Sequence, residues 1–236
     1  NNPISDIDTI GYVLSSKYNV KTIFLKDANL DTLESTIYRI QSKYKFEEGS
    51  QFLFYFAGHG TINDMTQETS LILKDTYKKN DRLKEDFAAS KLKSYITTIK
   101  STRTFVIVDA CHSRKVNERC DKPDAIAKEG IKHFTTAYEN AMVSNGNVSL
   151  TSAGANQLAS DGINGNNSPF ARAFITVLSE LSESNNMSDS QILFRKMLNV
   201  LENQDVDGII SDPKYCSYDI GADDPDDRFW FIPKKH

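Results

Sequence analysis

Two runs of consecutive apolar residues dominate the hydrophobic pattern of this chain. Residues 52–57 read FLFYFA, and residues 104–108 read TFVIV. Each run has the length of a buried strand and is rich in aromatic or β-branched residues, as expected for parallel strands that are covered on both faces. The pattern therefore predicts two strands in the interior of a sheet.

Amphipathic segments and weaker strand signals surround these two runs. Apolar residues at helical spacing predict helices at residues 7–14, 33–40, 87–96, 170–178 and 192–201. Ser168 and Pro169 are residue types typical of an N-cap and a first helical position. Further strands are predicted at residues 21–25, 147–153 and 229–232, and residues 61–82 are interpreted as a polar surface excursion. Strands that alternate with helices favour an α/β fold, with a mostly parallel sheet flanked by helices.

Length, charge and cysteine content narrow the class of protein. The 236 residues predict a single domain that covers residues 1–236. A net charge of −4 without a dense Lys/Arg patch predicts no nucleic-acid partner. No apolar stretch approaches the roughly 20 residues of a membrane span, so no membrane association is expected. Three irregularly spaced cysteines argue against a disulfide framework and predict a reducing compartment, hence a cytoplasmic protein.

The chemistry-bearing residues stand where the two strong strands end. The first strand leads into Gly58-His59-Gly60, and the second leads into Asp109-Ala110-Cys111. If the strands are parallel neighbours, an imidazole faces a thiol at one edge of the sheet, which is the minimum apparatus of a cysteine nucleophile. The N–H groups of Gly60 and Cys111 are candidate donors to the oxyanion of a tetrahedral intermediate. Either side chain alone is more often structural, but the pair favours catalysis.

These motifs resemble those of the caspase-like cysteine peptidases, which comprise caspases, metacaspases and paracaspases. Residues 55–60, YFAGHG, look like the family's histidine motif, and residues 109–113, DACHS, look like its cysteine motif in the metacaspase, paracaspase-like and bacterial form. The separation of 52 residues (111 minus 59) is close to the roughly 50 expected in caspases. The resemblance implies a caspase-like sandwich fold, with His59 as the general acid or base and Cys111 as the nucleophile.

The cysteine motif differs from that of caspases at one position, and this difference predicts the residue after which the protein would cleave. Caspases have Gln-Ala-Cys where this chain has Asp109-Ala110-Cys111. A carboxylate beside the pocket for the scissile residue attracts Arg or Lys and repels Asp. The resemblance places Asp109 in such a pocket and makes Asp6 a second pocket residue, with Asp8 in reserve. The alternatives are a structural hydrogen bond for Asp109 and a helix cap for Asp6.

Other features of the chain also have expectations attached. Ser152 and Ala153 resemble the segment along which caspase-type substrates pair their backbone, a form of β-augmentation. Basic residues within 114–147 resemble an activation linker, although a solvated loop and helix is the preferred interpretation. No cofactor or metal site is predicted. Calcium activation remains an alternative for the aspartates Asp223, Asp224, Asp226 and Asp227, which lack the ligand order of a defined calcium loop.

The start of the sequence also bears on the expected sheet. Family members usually begin with an apolar strand before an Asn-rich turn, and Asn1-Asn2-Pro3 looks like that turn. The leading strand is therefore expected to be missing, supplied by another segment, or part of a larger protein.

The sequence thus predicts a cysteine endopeptidase that cleaves protein or peptide substrates after Arg or Lys through a thioester on Cys111. The rival hypothesis is a caspase-fold module that binds peptides without cleaving them, or that acts only when gated by a regulatory protein partner in a signalling or defence assembly.

Overall fold

The computed structural model describes residues 2–63, 68–79, 82–84, 86–110, 146–152, 167–203, 213–217 and 228–234. Within these ranges the helices are α1 (Asn2–Lys17), α2 (Leu30–Lys43), α3 (Ala89–Ile96), α4 (Pro169–Glu183) and α5 (Ser190–Glu202). The strands are β1 (Gln51–Ala57), β2 (Gly60–Ile62), β3 (Thr69–Leu71), β4 (Tyr77–Lys79), β5 (Arg82–Lys84), β6 (Phe87–Ala88), β7 (Arg103–Asp109), β8 (Gly146–Thr151), β9 (Ser188–Asp189), β10 (Lys214–Ser217) and β11 (Trp230–Phe231).

The central sheet has the order β1-β7-β8-β10 among the described strands. Strand β7 pairs in parallel with both β1 and β8, and β10 is antiparallel to β8. Helices cover both faces, which confirms the predicted α/β fold with a mostly parallel sheet.

The side chains of β7 divide the core into two layers. Phe105 and Ile107 belong to a buried cluster with apolar residues of α1, α4 and α5. Val106 and Val108 belong to a second cluster with residues of α2 and α3. Alternate residues of a strand point to opposite faces, so the fully buried strand β7 supplies both layers.

Strand β1 differs from the sequence-based expectation. All seven of its residues are only partly buried, and within the described ranges it pairs with β7 alone. It is therefore an edge strand of the described sheet, whereas its composition predicted an interior one. Residues 21–25, predicted as a strand, form none, and Ile23 and Phe24 are 41% and 44% exposed.

The segment interpreted as a surface excursion contains regular structure. Strands β2, β3 and β6 form a three-stranded antiparallel sheet, and β4 pairs with β5. Strands of two or three residues are too short for an alternating hydrophobic pattern to emerge, which is why the sequence did not reveal them.

The start of α4 confirms the predicted Ser-Pro signal. Ser168 is the N-cap, with non-helical backbone angles and a side-chain oxygen that accepts a hydrogen bond from the Ala171 N–H at 2.9 Å. Pro169 follows at the first helical position, where its missing N–H costs nothing.

Two findings bear on the predictions made from hydropathy and cysteine content. No helix within the described residues is long and apolar enough to cross a membrane. Cys216, on β10, is disulfide-bonded. One such bond is not the multi-bridge framework that the cysteine count argued against, although it runs against the expected reducing compartment. The cytoplasmic location stays a prediction.

The first testable prediction concerns the interior of the sheet. Phe105 is fully buried and its ring contacts those of Phe229 and Phe231. Phe105→Ala should lower the free energy of unfolding by about 3–5 kcal/mol, because it removes buried area and leaves a cavity. Urea unfolding followed by circular dichroism measures this loss. The control is Tyr38→Ala, 72% exposed, which should change it by less than about 0.5 kcal/mol.

Candidate active site

The pairing of β1 with β7 brings the histidine motif and the first two residues of the cysteine motif to one edge of the sheet. Ala57 lies opposite Asp109, and the Gly58 N–H donates a hydrogen bond to the Asp109 carbonyl at 3.1 Å. His59 follows directly and is exposed. Cys111 comes two residues after the end of β7 and lies outside the described residues. That the Cys111 thiol lies close to the His59 imidazole therefore stays a prediction.

The backbone around His59 leaves the Gly60 N–H directed away from β3. The Ile72 N–H donates to the His59 carbonyl at 2.9 Å, and Gly60 lies opposite Leu71. Because hydrogen-bonded and non-hydrogen-bonded pairs alternate along antiparallel strands, Gly60 and Leu71 form a non-hydrogen-bonded pair. This geometry is compatible with the oxyanion-donor role predicted for Gly60.

Two carboxylates predicted from distant parts of the sequence lie against the same residue. Asp6, on α1, and Asp109, at the end of β7, are 2% and 6% exposed. The Ser168 hydroxyl donates to Asp109 Oδ2 at 2.7 Å, and the Ser168 N–H donates to Asp6 Oδ1 at 3.1 Å. The start of α4 thus brings the two acidic side chains together.

Strand alternation explains why Asp109 meets α1 and α4. Phe105 and Ile107 face the layer of α1, α4 and α5, and Asp109 continues this alternation by two residues. Its hydrogen bond from Ser168 lies on the same side. A further hydrogen bond, from the Ser5 hydroxyl to Asn167 Oδ1 at 2.9 Å, joins α1 to the residue before the α4 cap.

Tyr55 adds a third polar group to this cluster. Its hydroxyl lies 3.5 Å from Asp109 Oδ2, and its ring lies 5.9 Å from that of Phe174 on α4. The pKa of the Tyr55 hydroxyl is raised well above its usual value. Burial is the largest cause, and the negative charges of Asp109 and Asp6 come next. The hydroxyl therefore keeps its proton and is a donor toward Asp109.

The structure bears differently on the alternative interpretations of Asp6 and Asp109 and on the reserve residue Asp8. Asp6 lies inside α1, so it is not the N-cap of that helix. Asp8 is exposed and forms an ion pair with Lys26 at 2.7 Å, away from the cluster. Asp109 does make the structural hydrogen bond that its alternative interpretation predicted.

The predicted substrate-pairing segment is only partly described. Ser152 follows β8 and is 1% exposed, and its N–H donates to the Val108 carbonyl at 3.1 Å. Ala153 lies outside the described residues, as do residues 114–145 and the aspartates at 223–227. Within the described ranges, no group of three or more His, Cys, Asp or Glu side chains is arranged to hold a metal ion.

Sequence reasoning missed two members of the cluster. Ser168 was recognised as a helix cap but not as a partner of the carboxylates. Tyr55 was quoted within the histidine motif, four residues before His59, without a role. The only available signal for Tyr55 was its polar hydroxyl within an otherwise apolar strand.

Comparison with known proteins establishes the family. A family model described as the caspase domain matches residues 1–218, and the chain belongs to this family. The crystal structure of caspase-1 from Spodoptera frugiperda is similar, with 15% identity, a TM-score of 0.57, and coverage of 92% of this chain and 78% of that one. At this identity the similarity shows the caspase fold alone. No curated protein matches the chain.

The second prediction concerns the Tyr55 phenol. An unfolded tyrosine titrates near pH 10, at about its reference value, whereas the pKa of folded Tyr55 is higher. The protonated Tyr55 phenol therefore makes its full contribution to the free energy of unfolding below about pH 10. As the pH rises further, this contribution is lost by up to about 1.4 kcal/mol per pH unit for one proton. Tyr55→Phe should make the free energy of unfolding fall less steeply above pH 10.

Urea unfolding at several alkaline pH values measures this slope. Tyr38→Phe, which removes an exposed phenol, is the control variant. A wild-type slope in Tyr55→Phe would contradict the assignment of a raised pKa to the Tyr55 hydroxyl beside Asp109.

Proposed function

We propose that this caspase-family domain is a cysteine endopeptidase that cleaves peptide bonds after Arg or Lys. In this proposal His59 and Cys111 form the catalytic dyad, and the N–H groups of Gly60 and Cys111 bind the oxyanion. Asp6 and Asp109 form the acidic end of the pocket for the scissile residue. The substrate backbone pairs with the chain at Ser152 and Ala153.

The observation that carries the proposal is the convergence of Asp6 and Asp109 on Ser168. The two residues are 103 positions apart (109 minus 6), and both carboxylates are buried at the sheet edge from which the chain continues to Cys111. Two carboxylates that converge on one residue concentrate negative charge at this edge, and negative charge attracts cations. A guanidinium or ammonium group is therefore the side chain that such a pocket favours.

The chemistry of the dyad follows from its two residue types. The His59 imidazole takes the thiol proton of Cys111, and the thiolate attacks the carbonyl carbon of the scissile bond. The developing oxyanion accepts hydrogen bonds from the two backbone N–H groups. When the intermediate collapses, the C–N bond breaks and His59 returns the proton to the leaving amine. Water, activated by His59, then hydrolyses the thioester and restores the thiol.

Finer features of the proposal come from the family resemblance. We expect a metacaspase- or paracaspase-like enzyme that acts in the cytoplasm on protein substrates with a basic residue at the cleavage site. Calcium, self-cleavage within 114–147 and a regulatory protein partner are the candidate triggers. The cleavage experiment below also tests the rival hypothesis of a module that binds peptides without cleaving them.

The third prediction is cleavage of short fluorogenic peptides that end in Arg or Lys, but not of matched peptides that end in Asp. The acidic pocket attracts the first two and repels the third. Initial rates should be measured with and without calcium, with Cys111→Ala as the inactive control. Cleavage after Asp alone would refute the acidic pocket. Failure to cleave any peptide, in either condition, would favour the binding module or the partner-gated protein.

The fourth prediction separates the pocket carboxylates from nearby acidic residues. Asp109→Asn and Asp6→Asn should each lower kcat/KM for Arg peptides by at least about 30-fold, because loss of one partner of a buried charge pair typically costs 2–5 kcal/mol or more. The matched control is Asp8→Asn, on the same helix as Asp6 but exposed and paired with Lys26. It should leave the rate nearly unchanged.

Kinetics with Arg, Lys and uncharged peptides of the same length measure this difference. If Asp109→Asn retains the wild-type preference for Arg, the pocket assignment is wrong even when the dyad is correct. Asparagine keeps the carbonyl oxygen that accepts from Ser168, so a purely structural role of Asp109 predicts this outcome.

A further inference from the structure

Ser168 contacts both predicted pocket carboxylates through different groups. Its hydroxyl donates to Asp109 and its N–H donates to Asp6. The residue is 4% exposed. A single residue at the start of α4 therefore connects β7, α1 and α4, through its hydroxyl and its backbone N–H.

The hydroxyl of Ser168 both donates and accepts a hydrogen bond. A serine hydroxyl has one proton to donate and two lone pairs that accept. The oxygen accepts the Ala171 N–H at 2.9 Å, which caps α4, while its proton is directed to Asp109 Oδ2 at 2.7 Å. Because hydrogen bonds in a chain polarise one another, we expect the cap and the bond to the carboxylate to reinforce each other.

We propose that Ser168 is a positioning residue of the basic-residue pocket, which fixes the Asp109 carboxylate relative to Asp6 and to α4. This inference rests on the proposed function. Ser168 acts through the two carboxylates and does not itself contact the substrate in this assignment. The Tyr55 hydroxyl, on the neighbouring strand, approaches the same oxygen of Asp109 from 3.5 Å and supports its orientation.

The expected consequence is a change in binding rather than in the chemical step. A carboxylate without its short hydrogen bond can rotate, and small errors in placement weaken the recognition of a guanidinium. Ser168→Ala should therefore raise KM for Arg peptides about tenfold, in line with loss of a hydrogen bond to a charged group. The value of kcat should change less than about threefold.

Two variants distinguish positioning from a loss of helix stability. Ser168→Thr keeps both a hydroxyl and a favoured cap residue, so it should restore KM to within about threefold of wild type. Asn29→Ala removes the cap of α2, where Asn29 accepts from the Thr32 N–H at 2.9 Å, far in sequence from the cluster. It should lower the melting temperature as Ser168→Ala does and leave KM unchanged.

A measurement that does not depend on catalysis completes the test. Urea unfolding of wild type, Ser168→Ala, Asp109→Ala and the double variant forms a double-mutant cycle. Direct interaction predicts a coupling of at least about threefold in the unfolding equilibrium constant, whereas additivity within about twofold would overturn the contact.

The outcomes separate this inference from the proposed function. If wild type cleaves after Arg and Ser168→Ala keeps the wild-type KM, only the positioning role is overturned. If wild type cleaves no peptide, the proposed function fails and the positioning role fails with it, while the cycle still shows whether Ser168 and Asp109 interact. A raised KM that Ser168→Thr restores, together with coupling in the cycle, supports the inference.

Discussion

The parallel register between β1 and β7 is the constraint on which the candidate site depends. Ala57 opposite Asp109, with the hydrogen bond from the Gly58 N–H to the Asp109 carbonyl, brings His59 to the edge where β7 ends. The pleat then directs the Asp109 side chain to the layer of α1 and α4. A shift of β7 by one residue would turn this carboxylate to the opposite face, toward α2 and α3.

The start of α4 makes burial of two carboxylates tolerable. The first N–H groups of a helix have no partner within the helix, and the aligned peptide dipoles favour negative charge at this end. Ser168 donates its N–H to Asp6 and its hydroxyl to Asp109, so hydrogen bonds replace part of the lost hydration. The electrostatic effect also extends to Tyr55 on β1. Burial is the largest cause of its raised pKa, and the charges of Asp109 and Asp6 raise this pKa further.

The sequence predicted features that depend on strong local signals. The apolar runs gave β1 and β7, the Ser-Pro pair gave the start of α4, and the motifs gave a family that the caspase-domain match confirms. Partial burial of β1 was not predictable, because composition does not report which strand lies at an edge. Contact between Asp6 and Ser168, 162 residues apart, depends on the packing of α1 against α4. No local pattern contains that information.

The hydrogen bonds of Asp109 fit a structural role as well as a substrate pocket, and the energetics help to separate the two. Ser168 caps α4 with its own oxygen through the Ala171 N–H, so the cap needs neither carboxylate. A capping serine could donate its proton to a neutral acceptor without the desolvation penalty of a buried charge. The cap of α4 therefore does not by itself account for the two buried carboxylates. In the proposed function, a cationic side chain of a substrate would be attracted to both carboxylates, and this attraction is the physical reason for proposing a pocket for basic residues.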